Sequence, residues 1–95
     1  MDYLEQFNFT KEDIDEVMSK LDRIDQVEFE VHEERVCDII NYFKSLHLGN
    51  IKELLMYKSY IFYTPLDFIK KKFSEVSMDK ILSINENVDV LDEIL

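Results

Sequence analysis

Hydrophobic residues recur along most of this chain at spacings of three and four, which is the pattern of amphipathic helices. The first such run follows Thr10, whose hydroxyl stands three residues before the Asp13 carboxylate in an approximate capping box. The apolar positions of this run are Ile14, Val17, Met18 and Leu21. The cap and the spacing together predict a first helix over residues 11–24.

The segment Val27–Val31 departs from this pattern, because apolar and acidic residues alternate in it with a period of two. Such alternation is typical of a strand. A strand of five residues finds no partner elsewhere in the sequence, and a strand without a partner is not stable. We therefore expect an extended connection here, with Phe29 anchored in the core.

Helical spacing then resumes and predicts a second helix over residues 32–46. Its apolar stripe is formed by Val36, Ile39, Ile40, Phe43 and Leu46. Gly49 follows at a point where a left-handed glycine ends a helix without steric cost. Asn50 and Glu53 form an N-cap pair, which predicts a third helix that extends to about Tyr57.

The clearest helix start lies further along, with Thr64 as N-cap, Pro65 as the first helical residue and Asp67 in the first turn. Ser77 predicts the start of a short fifth helix, and Asn87 the start of a final segment. These elements indicate an all-α fold, a compact array or bundle of about five to six short helices in one domain that covers the whole chain. Their apolar triplets alternate as in degenerate helix-pair repeats.

Charge adds a further feature to this helical pattern. The 95 residues contain 21 acidic and 11 basic side chains, for a net charge of −10. By segment the charge is −8 over residues 1–35, +2 over residues 36–75 and −4 over residues 76–95. A strongly acidic surface repels nucleic-acid phosphates and anionic membranes and attracts basic proteins.

We therefore expect the acidic first third of the chain to face a protein partner with a basic surface. The acidic candidates for partner binding are Glu12, Asp13, Asp15, Glu16, Asp22, Asp25, Glu28 and Glu30. Tyrosine is enriched among the residues that dominate interface energies, so two tyrosines join them as candidate anchors. These are Tyr60 and Tyr63.

Motifs for chemistry are weak in this sequence. The stretch Asp22–Glu33 has the length of an EF-hand loop, but valine stands at the sixth position, where the turn needs glycine. His32 and Cys37 are five residues apart, a spacing that does not align them on one face of a helix. We expect no metal, no cofactor and no enzymatic activity. The lack of a signal peptide or a long apolar run predicts a cytoplasmic protein without membrane contact.

Residues 42–75 resemble a repeat of the mitochondrial transcription termination factor (mTERF) type. The matching positions are Leu46, Leu48, Gly49, Ile51, Leu54, Leu55, Tyr60, Ile61, Phe62, Leu66, Ile69 and Phe73. Ser59 replaces the proline that the family has before its aromatic turn. The resemblance implies stacked helix pairs that bind nucleic acid through a basic stripe. That stripe would consist of Lys44, Lys52, Lys58 and Lys70–Lys72.

Three functional interpretations follow from these observations. The first is a small acidic protein-interaction or regulatory module, an inhibitor or adaptor, that engages a basic partner. The second is nucleic-acid binding by an mTERF-like array. The third is a structural subunit of a larger assembly, which predicts an exposed apolar patch and a defined oligomer.

Overall fold

The computed structural model describes residues 1–95. Its regular elements are all helices, and it contains no strand. The α-helices are α1 Lys11–Lys20, α2 Arg23–Val31, α3 Glu33–Ser45, α4 Ile51–Tyr57, α5 Leu66–Ser74, α6 Met78–Leu82 and α7 Val90–Ile94. Short 3₁₀ helices occupy Asp2–Phe7, Ser59–Tyr63 and Ser83–Asn85. The all-α prediction is confirmed. There are seven α-helices rather than six because α2 forms where an extended connection was expected.

The core consists of 23 buried residues, all of them hydrophobic. Its centre is a group of aromatic rings contributed by α2, α3, α5 and the second 3₁₀ helix. The Phe43 ring stacks on Phe73 with 5.8 Å between centroids, and it meets the edge of Phe62 at 5.7 Å. Phe29 in turn lies 6.3 Å from Phe62. These rings hold together elements that are far apart in the sequence.

Helix α1 begins as predicted but ends earlier. The Asp13 amide donates to the Thr10 hydroxyl (3.1 Å), and the Thr10 amide donates to the Asp13 carboxylate (2.9 Å), which completes the capping box. The predicted end near residue 24 is wrong, because Leu21 is extended and Asp22 starts the next helix. There the Asp22 carboxylate accepts from the Asp25 amide (2.8 Å).

The predicted extended connection over Val27–Val31 is wrong, because these residues form the second half of α2. The period of two is also compatible with a helix that has apolar residues on two opposite faces. Val27 and Val31 are four residues apart and share one face, whereas Phe29 points to the other face. The predicted burial of Phe29 is confirmed, since its side chain is fully buried.

Helix α3 has close to its predicted bounds, but its terminating residue is His47 and not Gly49. His47 has φ 66°, in the left-handed region, whereas Gly49 does not have a positive φ. The Leu48 amide donates to the Phe43 carbonyl and the His47 amide to the Lys44 carbonyl, as in a Schellman motif. Burial of Leu48 against the core stabilises this turn in the absence of glycine.

The side chains of two predicted N-cap residues make hydrogen bonds elsewhere. Asn50 precedes α4, but its side-chain amide donates to the Ile84 carbonyl (2.9 Å) and makes no cap bond. The Thr64 hydroxyl donates to the Tyr60 carbonyl (2.9 Å), and Pro65 is the N-cap of α5 instead. The predicted position of Asn50 as the N-cap of α4 is confirmed, although its side chain makes no cap bond. The prediction of Thr64 as N-cap is wrong, because a turn contact takes up its hydroxyl.

The last two helices are short. The predicted start of α6 is confirmed, because the Ser77 hydroxyl accepts from the Lys80 amide (3.2 Å). Helix α7 starts with Asp89 as its N-cap, and the Asn87 side chain precedes it and accepts from the Asp89 amide (3.0 Å). None of the helices is long and apolar enough to cross a membrane.

Candidate partner-binding surface

Helix α2 carries apolar residues on two opposite faces, of which only one is buried. Phe29 enters the core, while Ile24, Val27 and Val31 are 72%, 52% and 69% exposed. Their spacing of three and four residues places these three side chains in one line along the helix, and we call this line the α2 stripe. Isolated exposed apolar residues are ordinary, whereas contiguous exposed apolar patches are typical of interaction sites.

Polar contacts at its edges fix the orientation of α2. The Tyr63 hydroxyl donates to the Asp25 carboxylate, and the Ser59 hydroxyl donates to its other oxygen (3.1 Å). On the opposite edge the Tyr3 hydroxyl donates to the Phe29 carbonyl (2.9 Å). The Gln26 side-chain amide donates to the Leu21 carbonyl (3.1 Å). Since these contacts leave the outer face untouched, the α2 stripe points to solvent.

Charged residues flank the α2 stripe on both sides. With about 100° between successive helical residues, Glu28 lies on one side and Glu30 with Arg23 on the other. Glu28 is 3.1 Å from the His32 ring nitrogen, and Glu30 is 2.6 Å from the N-terminal amine. The carboxylates are therefore positioned at the border of the stripe, close to where a partner would make contact.

Two grooves adjoin the α2 stripe and meet at Val31. The first, of about 360 Å³, is lined by Met18, Arg23, Gln26, Val27, Glu30 and Val31. The second, of about 480 Å³, lies where α2, α3 and the start of α5 come together, and we call it the junction groove. It is lined by Val31, His32, Glu34, Arg35, Asp38, Pro65, Leu66 and Asp67.

The charged side chains of the junction groove differ in whether they have a partner within the chain. The Arg35 guanidinium donates to the Tyr63 carbonyl (3.1 Å), so this cation has a partner within the chain. The carboxylates of Glu34, Asp38 and Asp67 take part in no ion pair and accept no hydrogen bond. The groove thus presents three carboxylates without partners and one guanidinium, an excess of negative charge beside the apolar surface of Leu66.

Among the candidates on α1, the structure separates free carboxylates from paired ones. Glu12 and Asp15 are exposed and unpaired. Lys52 of α4 lies 2.8 Å from Asp13 and 3.1 Å from Glu16. The hydrogen bond from Lys52 and the bonds to Thr10 lower the pKa of Asp13 to about 2. Asp13 and Glu16 therefore hold α1 against α4 through Lys52.

The candidate tyrosines also make contacts within the chain. Tyr63 is half-buried and bonded to Asp25, next to α2. Tyr60 donates to Asp92, which also lies 2.6 Å from Lys58. Burial, followed by the bond to Asp92, raises the pKa of Tyr60 to about 12. Tyr63 therefore contacts α2, whereas Tyr60 contacts α7 through Asp92.

The residues of the α2 stripe and the free carboxylates of the junction groove were missed in the sequence. Ile24, Val27 and Val31 show the spacing of one helical face, but the alternation around Phe29 concealed it. The carboxylates of the groove come from two helices separated by almost thirty positions. No local pattern reports such a pairing.

The six lysines of the expected basic stripe are placed in different ways. Lys52 binds the two α1 carboxylates, and Lys58 lies 2.9 Å from Asp89 and 2.6 Å from Asp92. Three further lysines lie over aromatic rings: Lys44 is 5.5 Å from the Phe7 centroid, Lys70 is 5.5 Å from that of Tyr42, and Lys72 is 5.6 Å from that of Phe68. Carboxylates within the chain therefore neutralise two of the six cations.

No group of three or more His, Cys, Asp or Glu side chains is arranged to hold a metal ion.

Comparison with known proteins found no relative of this chain. No protein-family model, no curated protein and no solved structure matches the chain.

Proposed function

We propose that this protein is a non-enzymatic interaction module that binds a basic protein partner through the outer face of α2. The observation that supports this proposal is the α2 stripe itself, three aliphatic side chains that are more than half exposed on a well-anchored helix. Leaving such side chains in water forgoes about 1.5–3 kcal/mol for each one that could be buried. A partner that covers the stripe recovers part of this free energy.

The acidic surroundings define the charge of that partner. Glu28 and Glu30 border the α2 stripe, and the whole chain carries a net charge of −10. A field of this sign accelerates the association of a basic protein and disfavours acidic surfaces. Since exposed charges are screened by salt, the association rate should fall as ionic strength rises.

The test compares Val27→Asp with Met78→Asp. Val27 is 52% exposed in the stripe and Met78 is 50% exposed on α6, so the two variants add the same charge to equally accessible positions. Proteins from native cells are captured on the wild-type chain, purified, and titrated against both variants by calorimetry. We expect Val27→Asp to lower the affinity for a basic partner at least about thirtyfold. This is the effect of losing an interface hot spot of about 2 kcal/mol.

Met78→Asp should change the affinity less than about twofold. Circular dichroism and thermal unfolding of both variants show that each retains its fold. Equal sensitivity to the two substitutions, or the absence of any purified partner that distinguishes them, would contradict the proposal.

The other two interpretations give different results with the same preparation. An mTERF-like array predicts a gel shift with duplex or single-stranded probes at low salt, which Lys70→Glu and Lys71→Glu should weaken. A structural subunit predicts a defined oligomer of the isolated chain in light scattering. Either result without partner capture through α2 would replace the proposed function.

A further inference from the structure

The two grooves beside α2 are adjacent, because Val31 lines both of them, and we call the pair the trough. Its first part has mixed walls that include Met18 and Val27, with the α2 stripe along its edge. Its second part, the junction groove, contains the free carboxylates of Glu34, Asp38 and Asp67. An occupant that follows α2 towards its C-terminus therefore meets an aliphatic surface first and a negatively charged cavity second.

We infer that the partner presents an amphipathic α-helix that lies along α2, with aliphatic side chains on the stripe and a lysine or arginine in the junction groove. This inference rests on the proposed function and specifies the chemistry of the partner. It makes the trough, and not the acidic surface as a whole, the determinant of specificity.

The shape of the stripe favours a helix as the occupant. Ile24, Val27 and Val31 span two turns, about 10 Å along the axis of α2. A second helix matches such a row with its own residues at i, i+3 or i+4, and i+7, as in other complexes where a helix fills an apolar groove. The stripe alone is well below the roughly 800 Å² that each side of a stable interface buries, so the junction groove has to contribute.

Charge complementarity decides between a basic helix and a second copy of this chain. Pairing α2 with itself about a twofold axis would bring the Glu28 border of both copies to the same seam, between two chains of charge −10. A cationic side chain in the junction groove instead meets three carboxylates that lack partners. Arg35 also lines the groove and keeps its positive charge, but its guanidinium is held by the Tyr63 carbonyl, and the three carboxylates outnumber it.

The probes for the test are synthetic helical peptides of about 18 residues, a length at which isolated helices begin to be stable. One peptide carries leucines at i, i+3 and i+7 and an arginine one turn beyond the last leucine. The second has glutamate in place of the arginine, and the third has serines in place of the leucines. Binding to the wild-type chain is measured by fluorescence anisotropy at low salt.

We expect the arginine peptide to bind at least about tenfold more tightly than either of the other two. A charge exchange then tests whether the junction groove is the binding site. Asp67→Lys should lower the affinity for the arginine peptide about tenfold and raise the affinity for the glutamate peptide. The matched control is Asp79→Lys, an exposed carboxylate on α6 that should leave both affinities unchanged within about twofold.

Each other outcome has a defined meaning. If natural partners depend on Val27 but the peptides do not respond to Asp67→Lys, the proposed function stands and the inference is wrong. If neither a natural partner nor a peptide depends on Val27, both are wrong. A dimer that Val27→Asp dissociates, or binding of zwitterionic lipid vesicles through the stripe, would assign the trough to a second copy or to a membrane and would overturn the inference.

Discussion

Helices α2 and α3 are adjacent in the chain and meet at His32, yet they use their apolar residues differently. In α3 four apolar side chains, those of Val36, Ile39, Ile40 and Phe43, are fully buried. In α2 only Phe29 is buried, and three aliphatic side chains face solvent. Burial in the core accounts for the apolar stripe of α3. The stripe of α2 makes no contribution of this kind, which is why we propose it as the binding surface.

The two helices also differ in how they are attached. The Phe43 ring of α3 contacts Phe62 and Phe73 from two other elements. In α2 a single ring enters the core, and hydroxyl groups of Tyr3 and Tyr63 hold its edges. A helix that is held at its edges can present a whole face to a partner.

The largest predicted effect tests the buried face of α2. Phe29→Ala should lower the free energy of unfolding by about 3–5 kcal/mol, because it removes a fully buried ring and leaves a cavity. Urea denaturation measures the loss. If Phe29→Ala fails to fold, Phe29→Leu should show a loss of about 1 kcal/mol at the same site.

The control for that change lies on the other face of the same helix. Ile24→Ser alters an exposed side chain and should change the free energy of unfolding by less than about 0.5 kcal/mol. A loss at Ile24 as large as the loss at Phe29 would mean that the stripe stabilises the fold, and the contrast between the two faces would disappear.

A smaller effect tests the attachment of α2 at its edge. Tyr63→Phe removes the hydroxyl that donates to Asp25 and should lower the free energy of unfolding by about 1 kcal/mol. Hydrogen exchange should accelerate in the amides of α2 more than in those of α3. The matched control is Tyr57→Phe, since Tyr57 is exposed and makes no hydrogen bond through its hydroxyl. Equal acceleration in both helices would contradict this account of the attachment.

The smallest effect is a dependence on alkaline pH. Burial, followed by nearby carboxylates, raises the pKa of Tyr63 above its ordinary value, and burial does the same for Tyr3. The folded chain therefore holds these protons more tightly than the unfolded chain. This contribution to stability is fully present below about pH 10 and is lost as the pH rises above that value.

We expect the wild-type chain to lose stability between about pH 9 and pH 11, and the double variant Tyr3→Phe/Tyr63→Phe to lose less over the same interval. Urea denaturation at the two pH values measures both losses. Equal losses in the two proteins would show that the hydroxyls on the edges of α2 do not titrate with unfolding.

Much of the fold follows from spacing within single segments. The capping box at Thr10 and the bounds of α3 depend on residues that are close in the sequence, so their pattern identifies them. The end of α1 and the helix α2 were predicted wrongly because alternation of polar and apolar residues in Val27–Val31 fits either a strand or a two-faced helix. The aspartate pair at Asp22 and Asp25 is the local signal that favours the helix.

The candidate site was predictable only in part. The excess of acidic residues in the first third of the chain is a property of the sequence, and it placed the expected surface near α2. Which of those acids are free was not predictable, since Lys52 neutralises Asp13 and Glu16 from a helix nearly forty residues away. The two tyrosines were candidate anchors because tyrosine is enriched at interfaces, but Tyr60 and Tyr63 both donate hydrogen bonds to carboxylates of the chain.

The sequence by itself determined the helical class, the acidity and the apolar positions that form the core, because periodicity and composition are local properties. Only the tertiary structure decided that α2 turns Phe29 inward and leaves Ile24, Val27 and Val31 uncovered. Both faces of α2 are apolar, and the choice between them depends on contacts with Tyr3, Tyr63 and the rings of distant helices. Such contacts form only after the chain has folded, so the spacing of residues in one segment cannot report them.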